Sequence, residues 1–71
     1  MKELTQEQMY YIEMNVSIFA VNSSAEQYQR QKIYDIYNDM HGTNKKPNSC
    51  GRCWRNVRTA VYMQYLKQKE Q

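Results

Sequence analysis

Apolar residues recur along this chain at intervals of three and four, and no segment of useful length alternates apolar with polar as a half-buried strand does. The pattern therefore predicts helices, and the few breakers divide the chain into three of them. The first begins after Thr5, where Thr5-x-x-Gln8 has the form of a capping box, and runs to about Val21. The second begins at Ser24, where Ser24-x-x-Gln27 repeats the signal, and ends near Met40, before His41-Gly42. Gly42 suits the left-handed position that follows a helix. After a loop from Gly42 to Asn48, the third helix is capped by Ser49 or Asn48 and runs to about Lys69.

Placing residues at helical angular spacing gives each helix a face. On the second, Ala25, Ile33, Ile36, Tyr37 and Met40 fall together, and on the third so do Cys50, Cys53, Trp54, Val57, Ala60 and Val61. The first helix carries two apolar stripes. Met9, Ile12, Val16, Phe19 and Ala20 form one; Tyr10, Met14, Ile18 and Val21 form another on nearly the opposite side. A small bundle covers only one such stripe. The third helix has a similar anomaly, because its outer face begins with Arg52, Arg55 and Thr59 and ends with Tyr62, Met63 and Leu66. Apolar residues outside a small core point to a partner surface, with self-association as the simplest version.

Length sharpens this reading. Seventy-one residues make one domain, 1–71, near the lower limit for a single core without a staple or partner. The chain lacks the long apolar run of a membrane span, and "MKELTQEQ" lacks the apolar segment of a secretory signal. Charge is divided unevenly. Residues 1–29 hold one lysine against four glutamates, whereas residues 30–71 hold nine Lys or Arg against three acids. That asymmetry favours an acidic partner, either nucleic acid or an acidic protein surface.

The chemistry concentrates in "NKKPNSCGRCWRNVR", Asn44 to Arg58. Cys50-Gly51-Arg52-Cys53 sits at a helix start, where the dipole and free amides favour a thiolate, so a redox motif is conceivable. Such motifs follow a strand in a βαβ unit, and none is visible. Zinc is the next reading: Cys50 and Cys53 with His41 supply three ligands of the four a structural site takes, and the fourth is missing. The favoured reading makes both cysteines small buried hydrophobes on the core stripe, with no cofactor. No second group stands at a spacing that would complete a nucleophilic triad or a carboxylate pair, so no enzyme is expected. Lys45, Lys46, Arg52, Arg55 and Arg58, beside seven tyrosines, also fit nucleic acid, although the loop before the third helix is long for a helix-turn-helix.

From Tyr34 onward, "YDIYNDMHGTNKKPNSCGRCWRNVRTAVYMQYL" resembles small uncharacterised proteins of tailed bacteriophages of gut bacteria. In these a helical segment is followed by a Gly/Asn/Lys/Pro loop, closely spaced cysteines and a basic-aromatic helix. The resemblance implies a virion auxiliary, a nucleic-acid-associated protein or an inhibitor of host defence of the anti-CRISPR type. It places the chain in the cytoplasm of an infected bacterium or in a virion.

The expectation is an all-α three-helix bundle without catalytic activity, acting as a structural or adaptor protein of a larger protein or nucleoprotein assembly. Its partner surface combines Lys45, Lys46, Arg52, Arg55 and Arg58 with Tyr62, Met63 and Leu66, and the first helix adds Tyr10, Met14 and Ile18. The alternative is a nucleic-acid- or nucleoprotein-binding inhibitor of host defence.

Overall fold

The computed structural model describes residues 2–19 and 25–70, and over these the chain is an all-α three-helix bundle. Helix α1 spans Gln6–Met14, α2 Gln27–His41 and α3 Gly51–Lys69. The capping box is formed: Thr5 Oγ1 accepts the Gln8 amide at 3.1 Å, and Gln8 Oε1 accepts the Thr5 amide at 2.9 Å. The start of α2 differs from the expected Ser24, which lies outside the described residues together with Ala20 and Val21. Glu26 is the cap residue, its amide donating to Gln29 Oε1 at 2.8 Å.

The first helix ends seven residues earlier than its periodicity predicts. Asn15 stands at the break: its backbone N–H is shared between the Tyr11 and Ile12 carbonyls at 3.1 and 3.2 Å, tightening the last turn, and its side-chain amide donates to the Tyr11 carbonyl as well, at 2.9 Å. A 3₁₀ turn over Val16–Phe19 follows. This break resolves the double stripe. It turns Ile18, expected on the partner face, into the core, and turns Val16, expected in the core, outward to 48% exposure. Tyr10 and Met14 remain exposed on α1.

Helices α2 and α3 run in the same direction. Near the start of each, Arg30 lies over the Trp54 ring at 5.3 Å; Tyr34 at the middle of α2 stacks on the same ring at 6.3 Å between centroids, and His41 at the end of α2 lies along the later turns of α3. The connection Gly42–Cys50 must therefore travel back along α2, a distance of about 22 Å for its 15 residues. Nine residues reach that far with length to spare. Gly42 takes the left-handed conformation at φ 66°, and its amide closes on the Asn38 carbonyl at 2.7 Å. Asn38 then holds the returning loop: its Oδ1 accepts from Thr43 Oγ1 and the Lys45 amide, and its Nδ2 donates to the Lys45 carbonyl. The arrangement has none of the short-turn geometry of a helix-turn-helix.

Helix α1 runs antiparallel to both. Gln8 Nε2 reaches Asp39 at the end of α2, while Asn15 accepts from Gln29 near its start. The chain entering α1 is pinned at the same end. The Lys2 amide donates to the Met40 carbonyl, and the Gln68 side chain both accepts from the Leu4 amide and donates to the Leu4 carbonyl. These bonds bury Leu4, a core residue outside every helix.

The core joins Leu4, Ile12 and Ile18 to Ile33, Tyr34, Ile36 and Met40 of α2 and to Trp54, Val57, Val61 and Tyr65 of α3. Relative to the expected stripe, the buried face of α3 is rotated away from Cys53, which is exposed, toward Arg58, Tyr65 and Gln64, which are buried. The rotation follows from where α1 ends. Phe19 stacks on Tyr62 at 5.0 Å, and Tyr62 in turn on Tyr65 at 5.8 Å, so the 3₁₀ turn covers that flank of α3. No helix among the described residues is long and apolar enough to cross a membrane.

Candidate docking surface

The basic residues that crowd together in sequence separate in space. Lys45 and Lys46 line a groove of about 340 Å³ with Tyr34, Tyr37, Asn48, Cys53, Asn56 and Val57. Lys45 Nζ lies 5.6 Å above the Tyr37 ring, a cation–π contact that, with the Asn38 bonds, fixes the loop. Arg55 and Arg58 instead line a groove of about 300 Å³ with Phe19, Thr59, Tyr62 and Met63. At 3.6 residues per turn, the α3 residues of the two grooves point roughly 150° apart.

Arg58 is not a surface residue. It is 8% exposed, and its guanidinium lies 5.9 Å from the centre of the Trp54 ring, which also carries Arg30 at 5.3 Å. A planar, weakly hydrated cation stacks on indole at modest desolvation cost, which is how a charge enters this core. As a partner contact Arg58 is therefore corrected to a core contact that shows only its edge in the groove. Ile18 is corrected in the same way, being 4% exposed.

On the side of α3 away from Cys53 and Asn56, the exposed residues form one strip. Arg52, Arg55 and Thr59 are exposed, followed by Met63 at 62% and Leu66 at 37%. Met63 forms a ridge between the Phe19 groove and a wider depression of about 640 Å³ lined by His41, Ala60, Gln64, Leu66, Lys67 and Glu70. Tyr62 is half-buried and serves as the floor through its stack on Phe19. Among the described residues the ion pair present joins Lys2 Nζ to Asp39 Oδ1 at 3.2 Å, and it lies away from this strip. The strip thus offers two cations and then two apolar side chains. Tyr10 belongs to a separate depression with Leu4, Met9, Glu13 and Gln68.

The cysteines overturn the expected reading of them. Cys50, half-buried, and Cys53, exposed, are joined in a disulfide. The cap of α3 is Cys50 rather than Ser49 or Asn48: its Sγ accepts the Cys53 amide at 3.1 Å, and its own amide donates to Asn48 Oδ1 at 2.8 Å. The zinc reading fails on geometry. His41 packs tilted against Tyr37 and faces the later turns of α3, more than a helical turn beyond Cys53. Among the described residues no group of three His, Cys, Asp or Glu is placed to hold a metal.

Sequence reasoning found the exposed members of the strip but missed Phe19 as part of it. Nothing in the periodicity marks the 3₁₀ turn, although an Asn inside an otherwise apolar run is the residue type that ends helices by local hydrogen bonding. Comparison of the chain with protein-family models, with curated proteins and with solved structures gives no match.

Proposed function

We propose that this chain is a non-catalytic adaptor that docks onto a larger protein assembly through the outer face of α3. The observation that supports the reading is the strip itself: exposed Arg52 and Arg55 are continuous on one helix face with exposed Met63 and Leu66. Mixed faces of this kind suit protein partners, in which an apolar centre supplies burial and charges set orientation. The matching surface is acidic beside the start of α3 and apolar beside its later turns. The resemblance of the second half of the chain to small phage proteins makes a virion auxiliary the natural setting.

A second reading, a nucleoprotein-binding inhibitor of host defence, draws on Lys45 and Lys46 beside Tyr37, where a phosphate and a base could both be held. Dispersal of the basic residues over two faces favours the first. One experiment separates them: tagged wild type, Met63→Asp/Leu66→Asp and Lys45→Glu/Lys46→Glu are used to recover partners from expressing and infected cells, with and without nuclease. The adaptor reading expects one protein species, resistant to nuclease, lost with the Met63/Leu66 variant and retained with the lysine variant. Recovery of nucleic acid lost only with the lysine variant overturns it.

A further inference from the structure

The bridge between Cys50 and Cys53 is not needed to build the fold. It closes a loop of four residues, and cross-links over such short loops constrain the unfolded chain least. The start of α3 is already held by the Cys50 cap and by the turn through Asn48. What the bridge does have is access and polarity. Cys53 is exposed, and Gly51 between the two cysteines is exposed too, with nothing within 4 Å of where a Cβ would stand. Lys45 and Lys46 line the groove that includes Cys53. Cys50 Sγ already accepts the Cys53 amide, a bond that strengthens when that sulfur becomes a thiolate.

We propose that Cys50 and Cys53 form a reversible thiol–disulfide exchange site, independent of the docking face, that reacts with an anionic low-molecular-weight thiol. Cys53 is the sulfur that exchanges with the outside, and Cys50 is the internal leaving and resolving sulfur. In reduction, an external thiolate attacks Cys53 Sγ, the Cys50–Cys53 bond breaks, and its electron pair leaves on Cys50, where the Cys53 amide receives it. A second external thiolate then attacks the outer sulfur of the mixed disulfide and releases Cys53. Two thiols are oxidised to one disulfide for each bridge reduced, and the two protons released by the external thiols end on Cys50 and Cys53 as they become thiols. Oxidation is the reverse sequence. Lysines beside Cys53 draw in a thiol that carries carboxylates, such as glutathione.

The full chain is equilibrated with mixtures of reduced and oxidised glutathione, quenched with acid, alkylated and weighed by mass spectrometry. Opening and closing of the bridge as a pair, reversibly across the mixtures, is expected. Cys50→Ser, in which Ser keeps the helix cap, should accumulate a glutathione adduct on Cys53 about tenfold faster than Cys53→Ser accumulates one on Cys50. In denaturant that preference should vanish. Lys45→Gln/Lys46→Gln should slow glutathione but not the uncharged thiol 2-mercaptoethanol. Thiols that stay open throughout, a bridge that stays closed throughout, or an adduct preference unchanged by denaturant would overturn the proposal.

Discussion

The two halves of α3 treat charge and apolar surface in opposite ways. In its first half a cation, Arg58, is buried against the Trp54 ring, which a second cation, Arg30 from α2, also contacts. In its later turns Met63 and Leu66 stand in solvent. Each half thus carries an exception to the usual partition of apolar inside and charge outside, beside exposed Arg52 and Arg55 in the first and buried Val61 and Tyr65 in the second. The first half uses guanidinium groups as part of the core. The second leaves apolar side chains uncovered, and that is where a partner has something to bury. A basic cluster in sequence is thus not a basic surface, because indole can take guanidinium groups out of it.

The strongest test of this contrast is to remove the centre of the first half and, separately, the ridge of the second. Trp54→Ala should cost about 3–5 kcal/mol. A chain of this length holds on the order of 4–10 kcal/mol in total, so the variant should be largely unfolded by circular dichroism at ambient temperature. Met63→Asp/Leu66→Asp should leave stability within about 0.5 kcal/mol and remove partner recovery. If the pair of substitutions at Met63 and Leu66 unfolds the chain instead, those residues belong to the core and the contrast fails.

Next comes a comparison within the arginines. Arg58→Ala should cost about 1–2 kcal/mol in urea denaturation, because it uncovers Trp54 and removes a desolvated cation–π contact. Arg55→Ala, three residues away but exposed, should fall within about 0.5 kcal/mol. Equal losses for the two would place Arg58 back on the surface.

These residues also show what the sequence could and could not convey. Ile33, Ile36 and Met40 on α2, and Val57 and Val61 on α3, were legible because their spacing matches a helix buried on one side, and Gly42 because only glycine is at ease with a positive φ. Arg58 was not, because periodicity sorts residues by polarity and an arginine stacked on tryptophan is polar by type and buried by contact. Ile18 and Val16 exchange places because α1 tightens at Asn15 into a 3₁₀ turn, and a change of backbone state at one residue rotates everything after it. Cys50 and Cys53 were placed by face alone. Their pairing depends on a Cα separation of 5.3 Å that angular spacing does not encode. The exposure of Arg52, Arg55, Met63 and Leu66 could be read directly, since an outward face needs no partner to define it.

A smaller effect tests the loop that lets α2 and α3 run side by side. Gly42→Ala places a Cβ at φ 66° with open space around it, so its cost is conformational and not steric crowding by neighbours. About 1 kcal/mol is expected in thermal or urea unfolding, with α2 and α3 still formed. A loss several times larger would mean that the loop's return along α2, and not the burial on α3, holds the two halves of the comparison together.

The smallest effect concerns the end of the bundle away from Trp54, where Asp39 joins the start of α1 to the end of α2. Its carboxyl is held below its ordinary pKa first by the hydrogen bond from the Gln8 side chain and then by Lys2, with slight desolvation opposing them. Because the folded value is the lower one, the stabilisation is fully present above the ordinary carboxylate pKa and is lost as pH falls through the lowered value. Asp39 is exposed, so the contribution is small. Asp39→Asn should therefore unfold at slightly lower urea than wild type at neutral pH, and the two midpoints should converge in acid, once pH has fallen through the lowered value. Added salt should remove only the share due to Lys2, because the Gln8 bond is not a pairing of full charges. Midpoints that differ equally at both pH values would show that Asp39 acts through shape and not ionisation, leaving the charge that matters to this fold at the Trp54 end alone.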